Sequence, residues 1–171
     1  SLIAIALGLT LLAGWIGRDV GTDSGLLEMY RPGHPTWSAV RTAEEKVGGV
    51  VPIFIHLSGT DGQMMEPHVL KKIAALEQAL QGFDLTGVTV SPAGWVQHFH
   101  SLLTGQRGWP ESREAVAQEL LLAEMAGDLP ITKVLSADAA RARILAITKD
   151  AGGRNFLIAK RALESEASQI F

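Results

Sequence analysis

"VVPIFIHL", Val50–Leu57, runs eight residues without a charge and is nearly continuous in β-branched and aromatic side chains. Its length and composition predict a β-strand rather than a helix. Val51, Ile53, Ile55 and Leu57 fall on one face, with Val50, Pro52, Phe54 and His56 on the other. Both faces are mostly apolar, which predicts that at least part of the strand is covered on two sides. Pro52 cannot donate to a ladder and belongs near the strand's start or on an edge.

Upstream, "PTWSAVRTAEEKVGG" (35–49) has helix grammar. Thr36 or Pro35 lies near its start, Trp37, Val40, Ala43 and Val47 recur at helical steps, and Gly48-Gly49 stop it. Downstream, "SGTDGQMME" (58–66) is a loop, and Pro67 suits a first helical turn. Val69, Ile73, Leu76 and Leu80 then form one stripe, with Lys71, Lys72, Glu77 and Gln78 on other faces and Gly82 as the stop. "GVTVS" (87–91) reads as a short strand, and Ser91 and Pro92 as N-cap and first residue of a helix through Leu103. After the turn-like 104–112 comes a helix over 113–126 that ends at Gly127. "RARILAITKD" (141–150) is a third strand. The last helix, 155–171, places Phe156, Ala159, Leu163, Ala167 and Ile170 on one side.

Strand, helix, strand, one or two helices, strand, helix is the grammar of an α+β fold, specifically a ferredoxin-like sandwich built on a split βαβ unit. Its closing strand is expected after Phe171, so the α+β body at 49–171 reads as cut short at its C-terminal end. Residues 18–48 supply a connector and the first helix.

Ser1–Gly17 carries no charge, and Arg18 and Asp19 end that run. A membrane helix needs about 20 apolar residues. The first residue is Ser rather than Met, so residues 1–17 are expected to be the end of a truncated transmembrane helix, with Trp15 at its boundary. A signal segment would need a basic region ahead of it, and a buried helix a polar stripe that Thr10 alone does not make.

Composition narrows the function classes. The chain has 171 residues, 47% of them hydrophobic, enough for one sizeable core. The net charge of −3 is dispersed, which gives no electrostatic reason to expect nucleic acid. There is no Cys, so disulfides and thiolate metal sites are excluded. His98 and His100 stand two apart, on a helix about 200° around the axis from each other, and no HExxH pattern occurs. Capping or solvated roles suit the five histidines better than a metal. No G-x-S-x-G elbow surrounds Ser91, and a cap explains it. "KDAGGRN" (149–155) lacks the spacing of a phosphate loop and reads as a plain turn. Glu44-Glu45 and "ESE" (164–166) read as solvated helix faces. Trp95, Phe99, Met64 and Met65, with Trp109, could line a path for apolar cargo, although Trp95, Phe99 and Leu102 also make an ordinary packing stripe.

Taken together, "GTDSGLLEMYRPGHPTWSAVRTAEEKVGGVVPIFIHLSG", "HVLKKIAALEQALQGFDLTGVTVSPAGWVQHF", "WPESREAVAQELL" and "LSADAARARILAITKD" resemble the first extracytoplasmic loop of exporters of the RND superfamily, in its MMPL-like branch. The parts that carry the resemblance are Thr22-Asp23, Gly48-Gly49 and the step from Gly87 to Ser91. "RPGHP" (31–35) departs from the acidic linker expected there. The resemblance implies a porter domain outside the bacterial inner membrane, without catalysis, cofactor or metal of its own, that passes hydrophobic or lipid-like cargo in a proton-driven pump. Its implied partners are the remaining membrane helices and second porter loop of its own chain, and a possible second copy. A membrane-tethered extracytoplasmic sensor or ligand-binding domain is the alternative, and an anchored periplasmic enzyme a weaker one.

Overall fold

The computed structural model describes residues 33–127 and 131–171, together with Thr10, Gly14, Trp15, Gly25 and residues 29–31. The expected membrane segment therefore lies outside the described residues, apart from Thr10, Gly14 and Trp15, which are helical. Among the described residues no helix is long and apolar enough to cross a membrane.

The described chain alternates helix and strand. Helix α1 (Pro35–Val47) leads into β1 (Val51–Ser58), α2 (Pro67–Gln81) and β2 (Thr86–Val90). Helices α3 (Pro92–Thr104) and α4 (Arg113–Met125) follow, then β3 (Arg141–Thr148) and α5 (Gly152–Ile170). This is the expected order of elements. Short 3₁₀ turns stand at Gln63–Met65 and Ile131–Lys133.

The three strands form one antiparallel sheet in the order β1-β3-β2. β3 pairs Ile144 with Ile55 and Ala142 with Leu57 on one side, and Leu145 with Val90 on the other. β1 and β2 thus run parallel to each other with β3 between them, and α2 makes the crossover. Ala142, Ile144 and Ala146 of β3 meet Val69, Leu70, Ile73, Leu76 and Leu80 of α2 in a core that also takes Val96, Val116 and Leu120. Leu163, Ala167 and Ile170 of α5 pack against that core from its side.

β1 departs from the two-sided coverage expected of it. Val51, Ile53, Ile55 and Leu57 are half-buried on the helix side, whereas Pro52, Phe54, His56 and Ser58 are exposed. The described helices that meet the core do so on the odd-numbered face, and Phe54 is left 48% exposed under the Arg143 guanidinium, 5.0 Å from its ring. Pro52 sits both near the start and on an edge strand, as its missing N–H requires.

The glycines singled out in sequence mark a close crossing. Gly48 caps α1 with φ 86°, and a Cβ there would stand 2.5 Å from the Gly87 Cα. Only a side-chain-free pair lets the end of α1 pass this close over β2. At the other end of the chain, α5 begins at Gly152 rather than after the "KDAGGRN" turn. Gly152 has φ 77°, so the turn is completed inside the helix's first residues. Glu44 helps fix this junction: its Oε1 accepts the Asp150 N–H at 3.0 Å, so it is a tether rather than the solvated residue expected, while Glu45, Glu164 and Glu166 are exposed.

Candidate functional site

An apolar cavity of about 510 Å³ lies between β1, the α2–β2 junction and α5. Val51 and Ile53 come from the strand, Leu80 and Phe83 from the junction, and Phe156 and Leu163 from the helix. Alternation in β1 and the 3-and-4 stepping of α5 place these side chains on facing surfaces. Polar groups are few, and the Thr148 hydroxyl is already committed to the Val51 carbonyl at 3.0 Å. Lys160 and Glu164, paired at 3.6 Å and largely exposed, line the cavity from α5. Such a space suits apolar groups.

A second cavity of about 470 Å³ is more polar and lies where the end of β1 meets the start of α2 and the end of α5. His56, Gln63, His68 and Lys72 line it. The Lys72 ammonium donates to the Phe171 carbonyl at 3.5 Å and stands 5.5 Å from that ring, which ties α2 to the end of α5.

The four residues marked for a cargo path divide between elements. Met64 is buried in the core and lines the second cavity, and Met65 packs against the core from the same 3₁₀ turn. Trp95 and Phe99 are half-buried on α3 and line neither cavity, and Leu102 below them is exposed. Trp109 packs against the core.

Ser91 is the N-cap of α3, its hydroxyl accepting the Gly94 N–H at 3.0 Å and donating to the Glu77 carboxylate. Glu77 also accepts from Thr89 at 2.8 Å, so one α2 carboxylate fastens the β2–α3 corner. At 1% exposure Ser91 is closed to any substrate. His34 caps α1 by accepting the Thr36 N–H at Nδ1, 3.2 Å away. Among the described residues no three His, Asp or Glu side chains are grouped to hold a metal.

One pair escaped the sequence reading. His100 of α3 and Glu119 of α4 meet at 2.8 Å, both largely buried, and Glu119 Oε2 has no partner among the described residues. The signal was present: Glu119 adjoins the buried stripe Val116, Leu120 and Ala123. Two exposed carboxyls have lowered pKa values. Asp138 is held down by the Ser136 hydroxyl and the Ala140 N–H, and Glu114 by its own backbone N–H at the start of α4 and by Ser112.

Compared with known proteins, the chain matches no family model, no curated protein and no solved structure.

Proposed function

We propose that this chain is the extracytoplasmic porter domain of a proton-driven inner-membrane exporter of the RND superfamily, in its MMPL-like branch, moving hydrophobic or lipid-like cargo. The observation that carries the reading is the sheet order β1-β3-β2, in which two parallel strands joined through α2 flank an antiparallel third. That is the arrangement of strands a ferredoxin-like split βαβ unit requires. The helical pair α3–α4 is inserted between β2 and β3 and capped by Ser91 and Ser112. A unit with one shared core moves as a rigid body, which suits the rocking of alternating access. The 510 Å³ cavity is apolar enough for the cargo class, and the segment is read as doing no chemistry.

The test is deletion of residues 50–150 from the intact protein, with export measured in cells. Loss of export at normal protein levels is expected; export at full rate contradicts the reading. The second reading, a membrane-tethered ligand-binding domain, is favoured by the same cavity. The parent gene separates the two: four or five closely following membrane spans mark an exporter, and a single span leading to a signalling domain marks a sensor.

A further inference from the structure

We propose that the second cavity is a binding site for a phosphate monoester that carries an apolar group. The inference goes beyond the reading above and does not rest on it, since this space shares no lining residue with the first cavity.

The charge of the lining selects an anion. His56, His68 and Lys72 can carry positive charge there, and none of the described residues around the space is an Asp or Glu. Asp61, Glu66 and Glu77, the carboxylates nearest to these side chains along the chain, stand outside the lining. The first cavity differs, because the Lys160 ammonium there has the Glu164 carboxylate 3.6 Å away. Across the ladder from His56 stands Arg143, a further positive charge on the neighbouring strand.

The donors select the kind of anion. Lys72 contacts the Phe171 carbonyl at 3.5 Å, which commits at most one of its three ammonium protons. Each imidazole offers a ring N–H whether neutral or charged. Gln63 spends its carboxamide oxygen on the Thr60 N–H, 2.7 Å away, and on the Thr60 hydroxyl at 3.1 Å, which leaves its NH2 group as a donor. Donors that arrive singly from a strand, a 3₁₀ turn and a helix suit the tetrahedral oxygens of phosphate. A carboxylate is better matched by the planar fork of an Arg, and no Arg is among the described residues lining the space.

Size and wall select the rest of the ligand. At about 470 Å³ the cavity is far larger than one phosphate and falls in the range of small organic ligands. Leu57, Met64, Val69 and Phe171 form an apolar side that an alkyl or aryl group on the ester would cover. A phosphate monoester carries about −1.5 to −2 charges at neutral pH, which suits a lining without opposing carboxylates.

The experiment titrates hexyl phosphate into the intact protein by isothermal titration calorimetry. Saturable binding is expected, at least about tenfold tighter than that of inorganic phosphate, because the hexyl chain leaves water. Lys72→Gln is expected to weaken it roughly tenfold and His68→Ala roughly threefold. Lys71→Gln makes the same charge change one position away, at an exposed residue outside the lining, and is expected to leave binding unchanged. His68 is exposed and takes no part in the tie between Lys72 and α5, so its variant decides the matter if Lys72→Gln disturbs the fold. No binding, equal affinity for inorganic phosphate, binding that neither Lys72→Gln nor His68→Ala weakens, or an equal loss with Lys71→Gln overturns the proposal. Displacement by dihexanoyl phosphatidic acid separates the sources of the phosphate. Tighter competition than by hexyl phosphate itself marks a lipid headgroup, weaker or absent competition marks a soluble ester, and both uphold the phosphate chemistry.

Discussion

Helices α2 and α5 pack into one core from the same face of the sheet, yet they are held very differently. Val69, Leu70, Ile73, Leu76 and Leu80 of α2 are at most 6% exposed, whereas α5 buries only Gly152 fully and leaves Leu157 and Ile158 near 60% exposed. Both helices carry an apolar stripe of similar period in the sequence. The difference is what surrounds them. α2 bridges two strands that flank β3, so sheet and helices close around it; α5 lies beside β1, and no described strand stands beyond that edge. A stripe tells which side a helix turns inward, and its neighbours decide how deep it goes.

The largest test of this contrast is a pair of truncations. Ile73→Ala removes a fully buried side chain from the closed side and is expected to cost about 2–5 kcal/mol in denaturant unfolding. Leu163→Ala on α5 opens onto an existing cavity and is expected to cost about 1 kcal/mol or less. Equal losses would break the comparison.

The tie between α2 and the β2–α3 corner comes next. Ser91→Ala removes both the cap of α3 and a donor to Glu77, with an expected loss of about 1–2 kcal/mol. Glu77→Gln retains an acceptor for one hydroxyl and is expected to lose less, measured by the same unfolding curves.

The smallest effect is a pH dependence. The turn bearing Asp138 docks onto the loop before α2, with Gly62 N–H donating to the Asp138 carbonyl and Met64 N–H to that of Ala139. Because the folded pKa of Asp138 is lowered, its contribution is present above the ordinary Asp value of about 3.9 and is lost as pH falls through the lower folded value. Asp138→Asn is expected to flatten that acid limb of stability slightly while leaving stability at pH 7 nearly unchanged, since the group is fully exposed.

Much of this architecture is legible in residues 35–171. Local rules suffice for β1, the α2 stripe, the Ser91-Pro92 start of α3 and the order of elements, because each depends on neighbours along the chain. What escaped depends on partners distant in sequence. The exposed face of β1 was unreadable because Phe54 is apolar whether or not anything covers it, and Arg143 meets it from 89 positions along the chain only after folding (143 − 54). Glu44 looked like any surface carboxylate until Asp150 came to it, and His100 had no visible partner until α4 folded back. Trp95 and Phe99 share with Met64 and Met65 only their apolar chemistry, and the fold sets the two pairs on different elements.

Amide hydrogen exchange along β1 in the 171-residue chain tests most directly whether this edge stands open. The account expects Phe54 and His56, whose N–H groups point outward, to exchange on the order of 100-fold faster than Ile53 and Ile55, which are bonded to β3. Equal protection of all four amides would contradict it.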